Sequence, residues 1–73
     1  MSKRGKLILL TSDETEWLLV GEVFEKRVEE VIEDNPGIKP TKLRELLEEK
    51  NIPYTYLTSN GRDIKVEQFN VGN

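Results

Sequence analysis

Histidine and cysteine are both absent from this 73-residue chain, so the commonest general base and the best nucleophile are missing. Serines and threonines remain, but no side chain that ordinarily titrates near neutrality is present to activate them. Two acids can run glycosidase or Mg²⁺ chemistry, and Glu29/Glu33 and Glu30/Asp34 have the i,i+4 spacing that would pair them on a helix. On an exposed helix face, in a chain too small for a deep cleft, such pairs read as solvated surface. Histidine-based and thiolate zinc sites are excluded, and the glycines are scattered singly instead of forming a phosphate loop. The expectation is a non-enzymatic protein with no cofactor and no metal.

Chemistry by binding therefore comes forward, and the elements that would present a binding surface can be read from the pattern. Lys6–Thr11 is a short apolar strand. For Glu16–Val20 two readings compete. Thr11 and Glu14 have capping-box spacing, which would start a helix running to Asp34. Trp17-Leu18-Leu19-Val20, however, would cover most of a helix circumference, and Gly21 would sit in that helix's interior at a cost of about 1 kcal/mol. A β-hairpin of Lys6–Thr11 with Glu16–Val20 is preferred.

From Glu22 the period becomes helical, with Phe24, Val28, Val31 and Ile32 on one face, and Asn35-Pro36-Gly37 ends the helix. A second helix opens at Pro40 or Thr41, carries Leu43, Leu46 and Leu47 as its stripe, and closes at Asn51 in a Schellman ending that folds Ile52 onto Leu47. Tyr54–Thr58 and Ile64–Glu67 flank Asn60-Gly61, the preferred type I′ turn pair, and Phe69 falls one step out of alternation, as a bulge near Glu67 or Gln68 would place it. The order ββααββ predicts an α+β domain, a small antiparallel sheet with two helices on one face. Residues 6–71 form that single domain and residues 1–5 a basic tail, which could alternatively serve as a phosphate-binding arm.

The composition sets the class of partner. Alanine is absent, Glu, Lys, Leu and Ile are heavily used, and the short skewed chain fits a phage or mobile-element protein. No apolar run approaches a membrane span, and the basic start precedes only Leu7–Leu10, too short for a signal-peptide core; a cytoplasmic location is expected, with no membrane partner. The net charge of −3 divides into +3 over residues 1–12, −7 over 13–34 and +1 over 35–73, an arrangement that can orient a partner. An acidic helix can also mimic nucleic acid, but Lys26 and Arg27 interrupt this one.

The first hairpin points to a protein partner. Leu7–Leu10 and Trp17–Val20 are apolar on both faces of a strand, while two helices cover only one face. Some of Ile8, Leu10, Trp17, Leu18, Leu19 and Val20 should then be exposed, marking an interface with a second copy or a different protein. The candidate contacts are Trp17, Leu18, Leu19 and Ile8 as apolar anchor, with Glu25 and Glu29 steering a basic partner. The function expected is that of a small regulatory or inhibitory protein docking on a larger one, with transcription or nucleic-acid machinery as the target.

A second reading comes from a family likeness. Asn35-Pro36-Gly37-Ile38, then Pro40-Thr41-Lys42-Leu43, then the Asn60-Gly61 hairpin resemble a winged-helix regulator over residues 24–69. The resemblance implies a DNA-binding transcriptional regulator, contacting DNA through the wing residues Arg62 and Lys65, with Lys42 and Arg44 nearby. The family's recognition helix is not matched: Pro53–Asn60 is β-prone and carries no basic residue.

Overall fold

A computed structural model describes residues 5–71. Six main elements follow the expected order: β1 (Gly5–Leu9), β2 (Glu16–Gly21), α1 (Glu25–Asp34), α2 (Pro40–Glu49), β3 (Tyr54–Asn60) and β4 (Asp63–Phe69), with a single 3₁₀ turn, Glu22–Phe24, leading into α1. The strands form one antiparallel sheet in the order β1-β2-β3-β4, and both helices lie in the connection from β2 to β3. The molecule is an α+β domain of two layers, 19 Å through its thinnest direction.

The hairpin reading of residues 6–20 holds, and the turn shows why the helix reading competed. Thr11 and Glu14 do interact, but in a tight turn: the Glu14 N–H donates to the Thr11 carbonyl at 3.2 Å, with Glu14 in the left-handed region at φ 60°. The Thr11 hydroxyl accepts from the Thr15 N–H at 3.2 Å, and the Thr15 hydroxyl donates to Asp13 at 2.8 Å. Ser/Thr/Asp side chains that cap helices also close turns, so local spacing alone serves both outcomes. Gly5, assigned by its neighbours to the tail, instead begins β1 opposite Gly21, where a Cβ would lie 2.6 Å from the Val20 carbonyl oxygen. The rest of the expected tail, residues 1–4, lies outside the described residues.

Lys39 is the N-cap of α2, with Pro40 in its first turn, so Thr41 is inside the helix. Its C-terminus is the expected Schellman ending. The Ile52 N–H donates to the Leu47 carbonyl at 2.9 Å, the Asn51 N–H to that of Glu48 at 3.1 Å, and Asn51 holds φ 58°. Ile52 and Leu47 are both fully buried. A β-branched residue cannot hold this geometry cheaply, so Asn51→Val should cost about 1–2 kcal/mol. Thermal unfolding should register this as a midpoint drop of about 4–8 °C per kcal/mol, with Asn51→Gly at or above wild type.

The last hairpin turns one residue later than the Asn60-Gly61 pair predicts. Asn60 pairs with Asp63, leaving Gly61-Arg62 as the two-residue loop. Gly61 has φ 70° and Arg62 keeps a negative φ, which is the type II′ pattern and not type I′. This register slides β4 by two residues relative to β3 and so leaves its faces unchanged. Nor is there a bulge: pairing continues from Asn60↔Asp63 to Tyr54↔Phe69 without a break. Phe69 is simply on the opposite face from Ile64 and Val66, its ring 5.6 Å from that of Tyr54.

The core lies between the sheet and the helices. Leu18, Val20, Tyr54 and Tyr56 from the strands meet Val28 and Val31 of α1, Leu43 and Leu47 of α2, and Ile52. Ile8, Leu10, Phe24, Ile32, Ile38, Leu46 and Phe69 pack around them. The helices bury the β2 and β3 side chains on one face and leave the helix-side residues of the edge strand β4 largely open to water, and nothing is left over for the other face.

Candidate protein-binding face

Side chains alternate across a strand, so the pairing register sorts every strand residue onto one side of the sheet. The row Ile8–Leu18–Tyr56–Glu67 points toward the helices. The next row, Leu9–Trp17–Leu57–Val66, crosses all four strands on the open side. Beside it runs Leu7–Leu19–Thr55–Gln68, and Ser59 opposite Ile64 extends the face toward the β3–β4 turn. Large side chains on this face remain exposed: Leu7 at 54%, Leu9 at 47%, Leu19 at 39%, Ile64 at 69% and Val66 at 55%. Trp17 and Leu57 between them are half-buried.

The charge distribution is the reverse of that of a solvated sheet. Lys6, Glu16, Asp63, Lys65 and Glu67 are the charged residues of the four strands, and the register places all five on the helix side. Among the described strand residues the open face carries none. Its polar members are Thr55, Ser59 and Gln68, all uncharged. A sheet face meant for water is ordinarily polar.

Three of the charged strand residues, Lys6, Glu16 and Glu67, have side-chain partners on the helix side, while Asp63 and Lys65 are exposed on β4. Lys6 pairs with Glu29 of α1, whose carboxylate holds the Lys6 ammonium above its usual range through a hydrogen bond and direct attraction. Arg44 of α2 donates to Glu67 at 3.2 Å and lies 4.0 Å above the Tyr56 ring, a cation–π contact. The Tyr54 hydroxyl donates to Glu48 at 2.5 Å and the Tyr56 hydroxyl to Glu16. Burial, together with these carboxylate partners, pushes both phenols up to about 12.

Of the six residues singled out for protein contact, the structure brings together Trp17 and Leu19. Leu18 is a correction: at 0% exposure it is a core residue and has no surface to offer. Ile8, with Leu10, also turns to the helix side and packs on the core, and Val20 is buried. Glu25 and Glu29 belong to the helical layer, across the sheet from Trp17. Sequence reasoning missed Leu7, Leu9, Leu57, Ile64 and Val66. The signal that finds them is parity: each lies in register with Trp17 or Leu19, or an even number of positions along a strand from one that does. Among the residues named for DNA contact, Arg44 is engaged by Tyr56 and Glu67, Lys42 pairs with Glu45 at 3.7 Å, and Arg62 and Lys65 are exposed on the last hairpin. Residues 54–60, where a winged helix would place its recognition helix, form β3.

At one end of the sheet β2 and β3 stop pairing after Leu19↔Thr55, leaving a cleft of about 270 Å³ bordered by Gly21, Phe24 and Pro53. Leu19 and Thr55 join it to the open face. No group of three or more carboxylates that could hold a metal ion occurs among the described residues, and none of their helices is long and apolar enough to cross a membrane. Comparison of the chain with protein-family models, curated proteins and solved structures finds no match.

Proposed function

We propose that this chain is a small, non-enzymatic regulatory or inhibitory protein that docks on a larger protein through the open face of its sheet. One observation carries the reading: among the described strand residues the open face is apolar and free of charge, while all five charged ones are on the helix side. Exposed apolar surface of this extent costs solubility and is retained where a partner covers it. Trp17 lies in the central apolar row, and a tryptophan so placed is the natural anchor. The small size, the skewed composition and the helix–turn–helix-like segment from Asn35 to Leu43 favour a phage or mobile-element regulator acting on transcription machinery, within the cell. DNA binding has less behind it, because Arg44 is occupied within the fold and the whole chain is acidic.

Photo-crosslinking tests the docking face. A crosslinker replacing Thr55 on the open face should capture a discrete larger protein from lysate, competed by unlabelled chain. The same group replacing Glu33 on α1 should not. Trp17→Ala, with its fold verified by circular dichroism, should weaken capture by about 30-fold or more. Capture from Glu33 alone would overturn the assignment.

A further inference from the structure

We infer that, in the free protein, the open face is covered by a second copy of this chain, stacked sheet to sheet as a two-fold dimer. The inference rests on the reading of that face as a protein interface and names its occupant when no target is bound. In a two-fold interface the same patch meets itself, so any charge it carries faces a like charge near the axis. Among the described strand residues this face has no charged side chain to oppose. The acidic α1 surface lies on the other layer of each copy, so stacking the open faces puts both acidic layers outermost. Separated by two sheets about 10 Å apart and the helical layers themselves, those charges are beyond a Debye length of about 8 Å.

Area and shape agree with this occupant. Four strands at about 4.8 Å spacing and about 20 Å length give a face of roughly 400 Å² in plan. Allowing for the relief of the side chains, two such faces bury on the order of 1,000 Å² together, where specific interfaces begin. Aligned sheets pack with their strands at about −30°, so the row Leu9–Trp17–Leu57–Val66 of one copy would cross that of the other. A strongly polar partner would leave its own groups unpaired against a surface offering only Thr55, Ser59 and Gln68. A chain of 73 residues without disulfides has a small core, and pairing two open faces adds buried apolar area to it.

Sedimentation equilibrium on the full chain, from about 1 μM to about 1 mM, tests this, with the emission of Trp17, the single tryptophan, recorded alongside. The expected result is a concentration-dependent dimer whose tryptophan emission shifts to the blue as it forms. Leu19→Lys places two lysines in the interface and should weaken the dimer by about 100-fold or more, with circular dichroism unchanged. Ile64→Lys, on a different strand, is the second variant should Leu19→Lys fail to fold. Glu33→Lys on α1 should leave the dimer intact. A wild-type chain that stays monomeric throughout, or a dimer that survives both open-face lysines, overturns the inference. Either result leaves the crosslinking to a larger protein standing on its own outcome, so the two readings fail separately.

Discussion

Replacing Leu18 with alanine should lower the unfolding free energy by about 3–4 kcal/mol, and replacing its neighbour Leu19 by less than about 1 kcal/mol. The two leucines are adjacent in one strand and differ only in which side of the sheet they face. Leu18 is fully buried, in register with Ile8 and Tyr56 and beneath the helices, so truncation removes buried methyl groups and leaves a cavity. Leu19 already meets solvent at 39% exposure. A domain this small holds roughly 5 kcal/mol in total, so Leu18→Ala should leave only about 1–2 kcal/mol, enough to keep the chain mostly folded in water and to bring its unfolding to low urea. Urea unfolding followed by Trp17 fluorescence checks the pair, at a single protein concentration low enough to keep the chain monomeric. Equal costs at the two positions would mean that the sheet does not present its faces as described.

Alkaline pH should unfold the protein between about pH 10 and 12, with tyrosine ionisation accompanying the loss of structure instead of preceding it. Tyr54 and Tyr56 are the chain's two tyrosines. Both point into the covered face, and both phenols are raised from 10.0 to about 12, first by burial and then by donating to Glu48 and Glu16. Arg44 pulls each of them partly back. The native state therefore holds these protons more tightly than the unfolded chain does. The stabilisation is fully present below pH 10 and is lost as pH rises through the native values near 12. Ultraviolet absorbance of tyrosinate, recorded against far-ultraviolet circular dichroism, should give coincident transitions. Tyrosinate forming with a midpoint near 10 while the fold persists would contradict the packing of both rings. Tyr54→Phe and Tyr56→Phe should each flatten the pH dependence, since phenylalanine has no proton to lose.

Both expectations depend on which side of the sheet a residue takes, and this was the least legible feature of the sequence. The helices could be read because their apolar residues recur at three and four, and the ending of α2 because Asn51 and Ile52 suit a left-handed cap and the residue after it. The hairpins could be read from β-rich runs around turn residues. In the first hairpin, however, residues 7–10 and 17–20 are apolar at every position, so no alternation marks the inward side. Ile8 and Leu18 were therefore as plausible at an interface as Leu9 and Leu19, and only packing against α1 and α2 separates them. In β4 charge marks exposure but not the open face. Asp63, Lys65 and Glu67 share the helix side with Tyr56, on an edge strand where the helices give out and water reaches them.

By itself the sequence determined the kind of elements, their order, and the lack of the residues on which most enzymes depend, because each of these is a matter of residue type or local spacing. The docking face belongs to the tertiary structure. Its central row joins Leu9 and Trp17 to Leu57 and Val66, segments about 40 residues apart, through the pairing of β2 with β3. That pairing, and the choice of the face on which both helices settle, follow from burying Leu18, Val20, Tyr54 and Tyr56 together in one core. Once those four turn inward, alternation along each strand leaves Trp17, Leu19 and Leu57 no side but the open one.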